Sequence, residues 1–283
     1  MSTFNLTTQT TRHWPAFLSL GFDRNGEKTR MHQMRFQGPL RVQKPFYPEG
    51  DVCHVYLLHP PGGLVSGDDL SIQIECAPNS HALVTTPSAG KIYRADSQDG
   101  AQRQQVHIDV VDGCCEWLPM ETIVFDGAHG KLSTRVNLYG EAKFAGLDVF
   151  CLGRPKSALP FVSGSVEQRI ALYYQDNPIF LERQYLAADD PLVKAMSGFD
   201  RHWVSGTLMV VGIDDIDLAV SNLQTLTEQA GKTLSVTERL GVIVVRYLGD
   251  CSEQAQTQLR ACWQSVRPLL NGKAACTPRI WNT

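Results

Sequence analysis

Up to about residue 213, apolar and polar positions alternate with a period of two, the pattern of strands that bury one face. In "SIQIEC" (71–76), Ile72 and Ile74 share a face opposite Ser71, Gln73 and Glu75. "QQVHIDVV" (104–111) sets Val106, Ile108 and Val110 against His107 and Asp109, and "TRVNLYG" (134–140) places Val136 and Leu138 on one side. "VEQRIALYY", "PIFLERQYL" and "GTLMVVGI" also read as strands, with "APNS", "DSQDG", "VDG" and "DNP" as turns between strands. Many short strands at close spacing predict a mostly β architecture.

The last seventy residues change period. Ile216, Leu218, Val220, Leu223 and Leu226 recur at nearly helical spacing, and Gly231 is the expected C-cap. "VTERLGVIVVRYLGD" returns to strand through its β-branched run. "CSEQAQTQLRACWQSVRPLL" predicts a second helix, capped by Ser252, with an apolar stripe of Leu259, Cys262, Trp263 and Val266 and with Pro268 near its end. No linker or internal repeat interrupts the chain, so residues 1–283 are expected to form one domain.

Composition narrows the function. A chain of 283 residues can bury a core without disulfides or metal. Its formal charge of −3 and the absence of a basic run argue against nucleic acid or an anionic membrane as partner. No apolar run is long enough to span a bilayer, and the opening "MSTFNLTTQTTRHWPAFLSL" lacks the pattern of a signal peptide, so the cytosol is the expected location. Eight scattered cysteines without a C-x-x-C pair read as reduced, mostly buried thiols.

Among motifs, the nucleophile elbow, the phosphate-binding G-x-x-x-x-G-K-[ST] loop and H-E-x-x-H are all absent. "HPPGGLVSGDDL" (59–70) is rich in glycine, but it precedes a strand, whereas a phosphate cradle opens a helix. Cys53, His54 and His59 are close in sequence, yet adjacent Cys53 and His54 face opposite ways on a strand. Parity puts Asp68 on the side of Leu70, Ile72 and Ile74, either as a turn carboxylate bonded to backbone N–H groups or as the lining of a wet interior. Glu121 shares parity with Trp117, Ile123 and Phe125; Thr86 and Ser88 end a strand; Glu182 sits mid-strand among Phe180, Leu181 and Tyr185.

Together, "LLHPPGGLVSGDDL", "ALVTTPSAGKIYRA", "WLPMETIVFDGA", "CLGRP" and the terminal "PRIWNT" resemble the urease accessory protein D family, called H in some organisms. The motifs run in the same order from about residue 30 to 190. One departure is Ala158-Leu159, where the family often has a Gly-Glu pair after the Gly-Arg of "CLGRP".

The resemblance implies a helix-like stack of β-sheets with two α-helices in the C-terminal third. It also implies a non-enzymatic scaffold between the urease apoprotein, the helical accessory protein UreF and, through UreF, the nickel-carrying GTPase UreG. No permanent cofactor is implied, only nickel in transit through an internal tunnel. Asp68, Thr86, Ser88, Glu121 and Glu182 are the expected tunnel residues, with Asp68 and Glu182 meeting the metal. Leu259 and Trp263 are the expected partner surface. Two other classes remain: a metal-dependent hydrolase using His59, Asp68 and Glu121, and a passive adaptor through which no nickel passes.

Overall fold

The computed structural model describes residues 13–96 and 100–282. The first twelve residues of the opening segment, Ser97–Asp99 of the DSQDG turn, and Thr283 of the terminal motif lie outside that range.

The chain opens with the hairpin β1 (Trp14–Asn25) and β2 (Lys28–Gln37), then the short β3 (Arg41–Val42). It next winds between two sheets. The first turn of the winding is β4 (Cys53–Leu58) then β5 (Asp68–Cys76), followed by β6 (His81–Thr85) and short β7 (Gly90–Ile92) then β8 (Gln102–Val111). After these come β9 (Cys114–Leu118) and short β10 (Thr122–Val124) then β11 (Ala128–Tyr139), and finally β12 (Lys143–Leu152) then β13 (Gly164–Tyr174). The chain closes with β14 (Asn177–Ala187), β15 (Val204–Val211), α1 (Ile216–Ala230), β16 (Leu234–Arg239), β17 (Val242–Gly249) and α2 (Ser252–Asn271).

One sheet runs β14-β13-β11-β8-β5-β1-β2, and the other runs β16-β17-β15-β12-β9-β6-β4-β3, with β10 beside β12 and β7 beside β10. Successive strands within the winding part pair in parallel, as β5 with β8, β8 with β11, and β6 with β9. The result is the expected helix-like stack with two α-helices in the C-terminal third.

One core lies between the sheets and includes Leu18, Ile72, Ile108, Val136, Phe144 and Met209. A second lies between the opposite face of the β12 sheet and the helices, and includes Leu147, Val245, Leu223, Leu259 and Trp263. The β12 sheet is therefore buried on both sides, which explains why its strands read as near-continuous apolar runs rather than clean alternation.

α1 begins at Asp215, whose carboxylate accepts from Leu218 N–H at 3.0 Å, and ends at Gly231 as expected. α2 begins one residue earlier than its sequence suggested: Cys251 is the N-cap and Ser252 the first helical residue. Pro268 lies inside the last turn, three residues before the helix ends. α2 lies close on β15 because of Gly206, where a Cβ would stand 2.6 Å from Leu259 Cδ1.

A buried ionic network fixes α2 to the sheet. Glu116 of β9 accepts from Trp263 Nε1 at 2.6 Å and from Arg267 Nε and Nη2 at 3.0 Å each, and lies 2.7 Å from His81 Nε2. Arg267 also donates to both Glu49 carboxylate oxygens, at 2.7 and 2.8 Å, and Glu49 reaches His54 at 2.6 Å. Burial alone would raise the Glu116 pKa, but the His81 and Arg267 contacts hold it down to about 2.

Two expectations follow. Glu116→Gln leaves Arg267 and His81 in a dry site with one carboxylate fewer, which should cost ~3–5 kcal/mol in urea unfolding. The deficit should be largest above pH 4.5, the ordinary value, and shrink toward about pH 2, because the native carboxylate's contribution is lost over that window. The second concerns thiols. Cys251 Sγ lies 2.9 Å from Lys156 Nζ, which lowers its pKa, whereas burial pushes Cys53, Cys151 and Cys262 up to about 11. Peptide mass spectrometry after limited iodoacetamide at neutral pH should find Cys251 labelled first, and Lys156→Met should slow that labelling severalfold, on the order expected when a thiol loses a cationic neighbour.

Candidate functional site

Between the sheets lies a cavity of about 390 Å³, far above the ~15 Å³ that one water needs. Two loops frame its mouth: His59 to Leu64, and Thr86 to Lys91. The glycines of the first loop serve this packing. Gly62 has φ +78°, and a Cβ on Gly63 would stand 2.7 Å from Lys91 O. Leu64 N–H donates to Lys91 O at 2.7 Å and Tyr93 N–H to Leu64 O at 3.0 Å, locking the loops together. Thr86 Oγ1 accepts from Met120 N–H at 2.9 Å and so ties the second loop to the end of β9.

The wall is mixed. Leu70, Ile72 and Val106 come from one sheet, Trp117 from the other, and the polar groups include Gln104, Thr134, Gln168 and Asp148. Asp148 lies on the inward parity of β12 with Phe144 and Phe150, which pack in the inter-sheet core. Its Oδ1 accepts from Gln168 Nε2 of the facing sheet at 2.7 Å. Burial pushes its pKa up to about 6, the Gln168 bond opposes this, and the Glu182 charge adds to it. Asp148 still has accessible surface because it faces the cavity. An inward carboxylate is tolerable where water reaches it.

Beyond Asp148 along the strands the interior closes. A void of only about 10 Å³ remains among Val136, Phe144, Ile170, Leu172 and Met209. Polar groups continue sideways instead. Asp148 is in register with Thr207 of β15, and Thr207 with Arg246 of β17. Facing them, Gln168 is in register with Gln184, and Glu182 lies two residues along β14 from Gln184. Arg246 forms a bidentate ion pair with Glu182.

The expected site residues separate into three groups. Thr86 and Ser88 line the mouth. Asp68 has the inward parity expected, but its Oδ2 accepts from Val65 N–H at 2.8 Å, so it holds the turn at the rim and does not line the cavity wall. Glu182 lies at the lateral end with Arg246. Glu121 departs from expectation. Residues 119–121 lie outside β9, because Pro119 cannot donate to the ladder, and Glu121 Oε2 then meets Gln256 Nε2 of α2 at 3.4 Å. The strand parity counted from Trp117 does not survive that break.

Asp68 and Glu182 cannot share an ion. Leu70, Gln104, Leu132, Gln168 and Gln184 form one row across β5, β8, β11, β13 and β14, so four strand spacings, roughly 19 Å, separate the two ends. The hydrolase trio is likewise not assembled, since Glu121 faces α2. Among the described residues, no three or more His, Cys, Asp or Glu side chains gather to hold a metal.

The partner surface expected at Leu259 and Trp263 is corrected too. They are 0% and 1% exposed, packed against the β12 sheet, with Trp263 bonded to Glu116. The outward face of α2 carries Glu253, Gln254, Thr257 and Gln264 instead.

Sequence reasoning missed Asp148, Gln168, Thr207 and Arg246. Asp148 in "GLDVF" and Arg246 in "VVRYL" are single polar residues inside apolar runs, a pattern that does not say what they face, and Gln168, between Glu167 and Arg169, carried no signal.

Comparison with known proteins places the chain in a family. The family described as "UreD urease accessory protein" matches residues 15–282. Urease accessory protein UreD of Chromohalobacter salexigens is 47% identical over 97% of this chain and 90% of its own length. UreD 1 of Psychrobacter cryohalolentis is 45% identical over 96% and 92%, and UreD of Marinobacter nauticus 44% over 97% and 94%. Among the described residues, no helix is long and apolar enough to cross a membrane.

The raised Asp148 pKa carries a stability consequence. The native state binds this proton more tightly than the unfolded chain, so the ionised form is a burden that grows from pH 3.8 to about 6 and persists above. Asp148→Asn should therefore be more stable than the parent by up to about 3 kcal/mol at pH 8, with the difference vanishing below pH 4. Thermal or urea unfolding of both proteins across that range checks it.

Proposed function

The chain belongs to the UreD urease accessory protein family, and we propose that it serves urease maturation as a non-catalytic scaffold, one domain that holds the urease apoprotein and UreF, and UreG through UreF, while nickel crosses its interior. The observation that carries the transit reading is the cavity of about 390 Å³ leading from the His59 and Thr86 loops to the carboxylate of Asp148.

The chemistry suits a moving cation. At the mouth, burial lowers the His59 pKa, opposed by the nearby Asp68 charge, so the imidazole is neutral at physiological pH and free to offer nitrogen. Ser88 and Thr86 supply hydroxyl oxygens, and Asp148 supplies one anionic ligand deeper in. Nickel accepts nitrogen and oxygen donors, and a path with one strong ligand at a time lets the ion leave each station. A thiolate cluster would retain it. The thiols of Cys76 and Cys115 are buried in the inter-sheet core, away from these polar stations.

Asp148→Asn keeps the side chain's shape and a hydrogen-bonding amide. Co-expressed with urease and its other accessory proteins at limiting nickel, it should assemble normally but lower nickel per urease active site severalfold, on the scale of one lost charged ligand. Asp69→Asn, outside the cavity, is the control and should load as the parent does. Full loading by Asp148→Asn in an intact complex would leave only the adaptor role.

A further inference from the structure

We propose that Arg246 is a displaceable gate beyond the cavity, past Asp148 and Thr207 along the sheet: its guanidinium occupies the place beside Glu182 that a divalent cation takes on its way out. This rests on the transit reading above.

Three observations lead there. First, the direct continuation past Asp148 is apolar, closed by Phe144, Leu172 and Met209 around a void of about 10 Å³. An ion leaving Asp148 in that direction would lose its water without gaining a ligand. The polar route turns sideways through Thr207, the strand neighbour of Asp148, to Arg246 and Glu182.

Second, the oxygens at that end fit a cation better than an arginine. Glu182 is held by Gln184 Nε2 at 2.7 Å, which places the Gln184 amide beside the carboxylate. The other end of that amide, Gln184 Oε1, is buried and accepts no hydrogen bond. Arg246 bonds both Glu182 oxygens and approaches Thr207 Oγ1 at 3.4 Å, but leaves Gln184 Oε1 unused. A carboxylate, an amide oxygen and a hydroxyl are the donor set of a hard or borderline divalent ion.

Third, the pair is asymmetric. The Glu182 side chain is 14% exposed and that of Arg246 is 41% exposed. The arginine reaches the carboxylate from the solvent side and can leave without crossing the core. The ring of Phe180, 6.0 Å away, lies beside its guanidinium. While Arg246 stays, its charge repels an arriving cation; once it swings out, Glu182 is left as an uncompensated anion that draws the cation forward.

The probe is Ni²⁺ alone, measured by equilibrium dialysis at pH 7.5 against the purified full chain, with thermal melting to confirm folding. Arg246→Gln should bind Ni²⁺ on the order of tenfold tighter than the parent, because a fixed like charge beside the site is removed. Adding Glu182→Gln should abolish that gain. Unchanged affinity in folded Arg246→Gln, or a gain that survives Glu182→Gln, overturns the gate and leaves the pair as a clamp between sheets. Should Arg246→Gln not fold, Arg246→Lys decides: it keeps the charge but loses the bidentate fork, and it should gain affinity by a few-fold, with no gain counting against the gate. Urease loading separates this from the transit reading. Normal loading by Asp148→Asn defeats transit whatever Arg246 does, whereas reduced loading with no change in Arg246→Gln affinity defeats the gate alone.

Discussion

The contact between Arg267 and Glu116 is the constraint on which the rest of the architecture hangs. Both side chains are 0% exposed. Each would be costly to bury alone, and together they are tolerable because nearly every donor and acceptor is used. Arg267 spends its fork on two carboxylates, Glu116 and Glu49, and Glu116 takes three partners from two directions. Such a network permits little sliding. It sets the height and rotation of α2 over the β12 sheet, which fixes where Leu259 meets Gly206 and where Trp263 meets Trp281. The terminal segment follows, since Trp281 Nε1 donates to Thr85 Oγ1 at 2.8 Å, next to the Thr86 loop at the cavity mouth.

Strand parity divides the polar groups by task. The central strands of the β12 sheet are covered on both faces, so a polar side chain there must find a partner on one side or the other. On β9, Glu116 points to α2, while its neighbours Cys115 and Trp117 pack between the sheets. The same rule keeps Asp148 inward and Leu147 and Val149 against the helix side. The helix side carries ions that are fully paired and dry, which rigidify. The inward side carries a carboxylate with a single side-chain partner and a cavity beside it, which does not. One sheet thereby holds a structural charge cluster on its helix face and a polar row on its inward face, three residues apart along β12 in register.

The β architecture, the two helices and the family were legible because each rests on a repeating or ordered signal. Ile72 and Ile74 do face the core, and Leu223 and Leu259 do lie on buried helix faces. The site was legible only at its mouth, where the glycine and proline loops mark themselves. Glu121 was misplaced because parity counts only along an unbroken ladder, and Pro119 breaks it. The partner role expected of Leu259 and Trp263 failed for a different reason: an apolar stripe looks the same whether it covers its own sheet or a neighbour, and here the sheet was available. Asp148 stands out in its run, but its role was not legible because it depends on Gln168, a residue of the opposite sheet. The Glu116 network, spanning residues 49 to 267, is beyond any local pattern.

Under the proposed transit, kinetics explains why the interior holds so few ligands. A site with three or four anionic or imidazole donors binds nickel strongly, and its release is correspondingly slow, because affinity differences appear mostly in dissociation rates. A path that must pass an ion onward needs stations of similar and modest depth. Asp148 is held by one amide and Glu182 is already occupied by a guanidinium, so neither presents a deep well. A resident arginine adds a further property. It keeps the part-buried Glu182 carboxylate compensated, and in the proposed gate the same side chain must move before an ion can. In that proposed gate, the stability of the resting state and the barrier to passage are two consequences of one ion pair.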